Sequence, residues 1–210
     1  MLPQSQIGAG FSDPVFQSQA AFRALLAALS EPGTRQVMTS PVTPPQGLEA
    51  ATAIALLALA DYETPIWLTP ALRDGPAGAW LRFHCGATLI ENPADAAFAV
   101  IDGATDAPLL STFSIGTDQF PDRSTTVIVQ CAGLEGGRSV TLSGPGIADT
   151  RLVAPDGLRS GFWAEVAANA ELYPLGVDLV LSHGNTIIGL PRSTQIASPE
   201  HASPEMLETY

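Results

Sequence analysis

Four places in the chain carry side chains that could hold or transfer a group: Leu81-Arg82-Phe83-His84-Cys85, Pro191-Arg192-Ser193-Thr194, Asp61 and Arg23. An arginine followed by two hydroxyls just after a strand, Arg192-Ser193-Thr194, is the best anion-binding trio here. Guanidinium N–H groups form a fork that matches phosphate or carboxylate oxygens. Arg82 and His84 could serve one ligand atom together only from a strand; on a helix they project about 200° apart. The flanking residues favour the helix, with Gly75 as cap, Pro76 at the first position and Gly86 just past the end. His84 then stacks near Trp80, and Arg82 faces elsewhere. Asp61 follows an apolar helix at its carboxyl end, where the macrodipole disfavours a negative charge. It either accepts backbone hydrogen bonds in the following loop or is met by a cation such as an arginine. Arg23 flanks the apolar stripe of the first helix, as a snorkelling edge residue or as a group aimed into a neighbouring site.

Other chemistries find less support. Three histidines and two cysteines share no metal-ligand spacing. No G-x-S-x-G elbow occurs, and one histidine lies near the carboxyl end, so a Ser-His-Asp hydrolase is disfavoured. Cys85 has Arg82 and His84 nearby to lower its pKa, whereas apolar burial would make it inert. The glycine-rich pieces Leu142–Ile147 and Ile115–Thr117 either present N–H groups to an anion or only satisfy turn geometry.

The chain has 210 residues, 21 acidic side chains against 9 basic ones and a net charge of −12, which repels a phosphate backbone. All nine basic residues are arginine. Without lysine there is no P-loop and no Schiff base to pyridoxal phosphate, so no such cofactor is expected. The arginine-only composition is either genomic bias or a means of holding anions by forks. The amino terminus shows no signal peptide, and the longest apolar runs fall short of the ~20 residues that a membrane span needs. Cys85 and Cys131 read as reduced core residues, which together points to a cytoplasmic protein.

The elements that must position these residues alternate. Asp13-Pro14 starts a helix with Val15, Phe22, Leu26 and Leu29 as its stripe, stopped at Glu31-Pro32-Gly33. Arg35–Thr39 is a short strand, Leu48–Ala60 a buried helix, Thr64–Thr69 a strand and Ala97–Ile101 a central strand. Pro108–Ser114 is a short helix. Thr125–Ala132 and Ser139–Leu142 form a hairpin around Gly136-Gly137, with Arg151–Ala154 as a third short strand. Asp156 caps a helix carrying Leu158, Phe162 and Val166. A second hairpin joins Val177–Leu181 to Thr186–Leu190. This order predicts one α/β domain over residues 1–196, three layers around a mixed β-sheet, and a polar tail over 197–210 that is mobile or docked on a partner.

The pattern as a whole resembles the PhnH family, a subunit of the bacterial carbon–phosphorus lyase core complex. The matching pieces are Phe22–Leu26 with Ser30-Glu31-Pro32-Gly33, Leu59-Ala60-Asp61 with Thr64–Leu68, and Leu81–His84. Then come Gly116-Thr117, Leu142–Ile147, Tyr173–Asp178 and Leu190–Thr194. Cys85 departs from the threonine common at that place in the family. The resemblance implies a fold similar to pyridoxal-phosphate-dependent transferases without the cofactor, and assembly with the other core subunits. It also implies a share in making ribose 1-alkylphosphonate 5-triphosphate from ATP and an alkylphosphonate, ahead of an iron–sulfur radical subunit. No catalytic residue carries over. An accessory subunit is therefore expected, a homodimer when isolated, with Arg82, His84 and Arg192 as a ligand or interface cluster supported by Asp61 and Arg23. The alternatives are a purely structural interaction module and an independent small-molecule enzyme.

Overall fold

In the computed structural model, which describes residues 7–104 and 108–197, the apolar runs become strands that can only be covered on two faces. Pro65–Leu68 (β2), Thr88–Ile90 (β3), Phe98–Asp102 (β4), Thr126–Gln130 (β5) and Asp178–His183 (β8) lie parallel. Thr186–Leu190 (β9) runs against β8, and Arg35–Val37 (β1) pairs antiparallel with β9. The resulting mixed seven-stranded sheet has the order β1-β9-β8-β5-β4-β2-β3. Side chains alternate across it. Ile66, Leu68, Val100, Ile128, Val180 and Ile187 join one core, while Trp67, Ala99, Ile101, Val127, Val129, Leu179 and Leu181 join the other.

The first core is closed by Pro14–Ser30 (α1), Ala50–Leu59 (α2) and Pro76–Cys85 (α4), the last preceded by a five-residue helix, Pro70–Asp74 (α3). The second is closed by Phe162–Ala170 (α5) and a three-stranded sheet of Val140–Ser143 (β6), Arg151–Val153 (β7) and Gln195–Ala197 (β10). Three layers result, the third being part helix and part sheet.

Four expectations change. The large stripe of α1 faces out: Val15, Phe22 and Leu26 are 76%, 53% and 56% exposed, while Ala21, Leu25 and Ala28 are buried. The reason is the closeness of α1 to β9, where a Cβ on Gly189 would stand 2.4 Å from the Ala28 carbonyl oxygen. A helix seated that tightly needs small residues on its inner side. Second, β5 forms no hairpin with β6, because β4 and β8 occupy both its edges. The turn at 136–137 instead carries the chain to the far face, where β6 pairs with β7 and with β10. Third, Asp156 caps no helix: it bridges Gly133, and α5 begins at Phe162 behind Gly161. Fourth, Pro108–Ser114 shrinks to one 3₁₀ turn at Leu110–Thr112. Gln195–Ala197, at the expected boundary between domain and tail, adds a strand to the small sheet. The rest of the expected tail lies outside the described residues.

Candidate functional site

α4 is helical as the glycine–proline signals require, ending on a left-handed Gly86. That geometry separates its polar residues. His84 packs on Trp80 with ring centroids 4.5 Å apart. Its Nε2 lies 2.9 Å from the Gly8 carbonyl oxygen, and the Trp80 Nε1–H donates to the same oxygen at 3.0 Å. A carbonyl only accepts, so Nε2 bears the proton, and His84 with Trp80 fastens the amino-terminal segment onto α4. Arg82 is exposed and makes no hydrogen bond or ion pair among the described residues; the same holds for Arg23 on α1. Asp61 lies beyond the end of α2, where its Oδ1 accepts from the Glu63 N–H at 2.9 Å and the Thr64 hydroxyl at 2.8 Å. Those local donors offset the unfavourable helix end.

Arg192 is saturated. Its Nε–H and one Nη2–H donate to the Asp178 carboxylate, at 3.1 and 2.5 Å. Nη1 reaches the carbonyls of Pro121 and Pro174, and Nη2 reaches the Ser124 hydroxyl. A guanidinium has five N–H donors, and all five have partners here. Thr194 is buried, and its Oγ1 has no hydrogen-bond partner among the described residues. Asp178 opens β8 and Ser124 precedes β5, so Arg192 clamps the amino-terminal ends of the parallel strands. It shares no partner with His84, and the expected Arg82–His84–Arg192 cluster does not form. The physical reason is simple: α4 and the segment after β9 belong to different parts of the sheet.

The glycine-rich Leu142–Ile147 segment is a joint as well. Gly146 has φ +82°, and a Cβ there would lie 2.2 Å from the Ser30 carbonyl oxygen. The Arg151 guanidinium donates to the carbonyls of Glu31 and Pro32 alongside. The pieces 30–33 and 142–147 thus close on each other and seat the small sheet. Neither thiol is poised to react: burial pushes Cys85 up to about 11 and Cys131 to about 12. Among the described residues no group of three or more His, Cys, Asp or Glu side chains could hold a metal ion.

The site-like feature lies at the opposite end of the sheet. From β2 the chain goes out to β3, then returns to β4 on the other side of β2. Open α/β sheets take ligands at such a switch point, outside the carboxyl ends of the strands. A cleft of about 800 Å³ opens there, lined by Gln46, Trp67, Thr69, Asp102 and Gln130 among others. Thr69 follows β2, Asp102 ends β4 and Gln130 ends β5. Gln130 fixes the floor: its Nε2–H donates to the Gly47 carbonyl at 2.9 Å, and its Oε1 accepts from the Glu49 N–H at 2.7 Å. Sequence reading misses these residues, although each of the last three stands at the end of an apolar run. What it lacks is the strand order that gathers them.

Such an open α/β sheet, with helices on both faces and a cleft at its switch point, has a doubly wound arrangement. The chain belongs to the PhnH family: residues 9–197 match the family described as bacterial phosphonate metabolism protein (PhnH). It is 39% identical over 197 residues to the alpha-D-ribose 1-methylphosphonate 5-triphosphate synthase subunit PhnH of Rhizobium meliloti (strain 1021), covering 93% of this chain and 98% of that protein. It is also 29% identical over 180 residues, 86% of each chain, to HtxG of Stutzerimonas stutzeri, described as a candidate C–P lyase subunit protein.

Proposed function

We propose that this protein is an accessory subunit of a phosphonate-degrading assembly. There it contributes to the synthesis of ribose 1-methylphosphonate 5-triphosphate and works against other subunits of the carbon–phosphorus lyase system. The observation that carries this reading is the outward stripe of α1. Val15, Phe16, Phe22 and Leu26 leave large apolar side chains in water on a well-formed helix, while the Rhizobium meliloti relative is named as a subunit. Apolar side chains grouped this way mark a protein-binding face. Arg23, exposed beside the stripe, supplies a charge at its rim, and Arg82 and Asp61 are further exposed groups that a partner could meet. His84, Arg192 and Thr194 act from inside, shaping those surfaces without reaching a ligand. In this reading the isolated chain is a cytoplasmic homodimer whose fold is akin to that of pyridoxal-phosphate-dependent transferases, and the cofactor plays no part.

The test is co-purification with the other subunits. Phe22→Ser combined with Leu26→Ser should keep the far-ultraviolet circular dichroism and melting temperature of the parent chain, since neither side chain is buried. It should lose the stoichiometric assembly and its triphosphate product. Unimpaired assembly of this variant would remove the stripe from the interface.

A further inference from the structure

The amino ends of the parallel strands, opposite the cleft, gather exposed rings from segments far apart in the chain. In sheet order, β8 is entered through Glu171-Leu172-Tyr173, β5 through residues 118–122 and β2 through Asp61-Tyr62-Glu63. Tyr62 and Tyr173 are 71% and 64% exposed, and Phe120 and Leu172 are exposed as well. Arg192 Nη1 reaches the carbonyls of both Pro121 and Pro174, so the turns bearing Phe120 and Tyr173 are held side by side. Large apolar side chains grouped at one end of a sheet among polar groups mark a protein-binding surface. We propose that this end docks a lysine- and arginine-bearing surface of a partner protein, apart from the apolar contact made by α1.

Charge selects the partner. Asp61, Glu63, Asp95, Asp118, Asp122 and Glu171 are all exposed around these rings. α2, α4 and α5 lead directly into the segments before β2, β3 and β8, so the negative ends of their dipoles emerge at the same end. Against this stand Arg123 and, in the last turn of α4, Arg82, while Arg192 is taken up by Asp178. Arg123 shows what the rings accept: its guanidinium carbon lies 4.1 Å from the Phe120 ring centroid. A cation over a ring face is attracted by the ring quadrupole. Tyr62 and Tyr173 present rings with no aromatic or cation contact among the described residues. Other occupants fit less well. A phosphate backbone or an anionic membrane would meet like charge, and a second copy would bring the same carboxylates against themselves. Among the described residues no three carboxylates converge as metal ligands, so the negative charge is spread out, as over a protein interface.

The chain then meets partners through two chemistries, and only this one responds to salt, beyond the α1 contact on which the subunit reading rests. Binding of the full-length chain is followed by biolayer interferometry at low and high salt with two probes, a deca-arginine peptide and the other subunits of the carbon–phosphorus lyase system. Asp118→Arg and Glu171→Arg, each alone, should weaken both probes about tenfold at low salt and much less at high salt. Tyr62→Ser should weaken them about threefold at an unchanged melting temperature. Asp156→Arg, an equal change of charge at an exposed position beyond the carboxyl end of β5, should alter either by less than about twofold. Equal effects of Asp156→Arg and the two strand-end reversals overturn the inference, as do failure to bind deca-arginine and subunit binding that salt leaves unchanged. A changed solution mass of the isolated chain on Glu171→Arg assigns the face to its own copy and overturns it too. A parent chain that assembles, with reversals that leave both probes bound, defeats this inference alone. A chain that takes deca-arginine through these residues yet joins no subunit defeats the subunit reading.

Discussion

Arg192 shows how far a residue's type can mislead about its task. Its fork is matched, donor by donor, to Asp178, Pro121, Pro174 and Ser124, and the side chains of the Arg192–Asp178 pair are only 14% and 23% exposed. Removing the guanidinium leaves a largely enclosed carboxylate with the Arg192 backbone N–H as its remaining donor, and takes their donors from two carbonyls and the Ser124 hydroxyl. Arg192→Ala should therefore cost about 2–3 kcal/mol in denaturant unfolding, somewhat under the full penalty for breaking a buried pair. Arg192→Lys should recover little, because an ammonium cannot span the same fork. A variant with lost activity and an unchanged unfolding midpoint would contradict the clamp. Glu165 makes the companion case. Burial opposes its ionisation, but the Arg159 guanidinium and the Leu110 N–H outweigh burial and hold its carboxyl below the usual range. A depressed carboxyl stabilises the fold above its unfolded pKa, and that contribution fades as pH falls through the folded value. The difference in melting temperature between the parent and Glu165→Gln should thus stay constant above about pH 5 and shrink below about pH 4.

At the scale of elements, the α1–β9 contact decides which side of a helix is inside. Apolar periodicity marks two rows on α1, and the row of larger residues is the natural one to bury. The backbones instead meet at Gly189 and Ala28, so the alanine row goes in. Gly189→Val should push the helix away and cost about 3 kcal/mol, overpacking being as damaging as a void. An unfolding midpoint unchanged by this substitution would mean that the helix can shift without loss. Boundaries set by local chemistry were legible: Asp13 caps α1 through the Phe16 N–H, Pro76 opens α4, Gly86 closes it, and β8 and β9 turn through Gly184-Asn185. The missed elements lacked such a signal. The β5–β6 hairpin looked sound because two strands flanked a pair of glycines, and nothing local says that both edges of β5 are already taken. The start of α5 was misplaced for the same reason. Asp156 is a good cap by type, but its backbone is committed to Gly133.

For the whole molecule, composition and the order of apolar runs were enough to require an α/β domain with a mixed sheet. They were enough to exclude lysine chemistry, and the residue pattern pointed to the PhnH family. Those properties depend on residue type and near-neighbour spacing, which the chain carries in one dimension. Which residues form the candidate site was not determined there. Thr69, Asp102 and Gln130 are some thirty residues apart in succession and come together because β4 returns to the far side of β2. The same return leaves Arg192 at the other end of the strands and His84 on a helix flank. Strand order is fixed by which faces and edges the folded chain can cover, a property of all the elements at once. So the sequence by itself settled the class of fold and the ends of most elements. Only the tertiary structure decided which polar residues face a cleft and which large apolar row of α1 stays exposed.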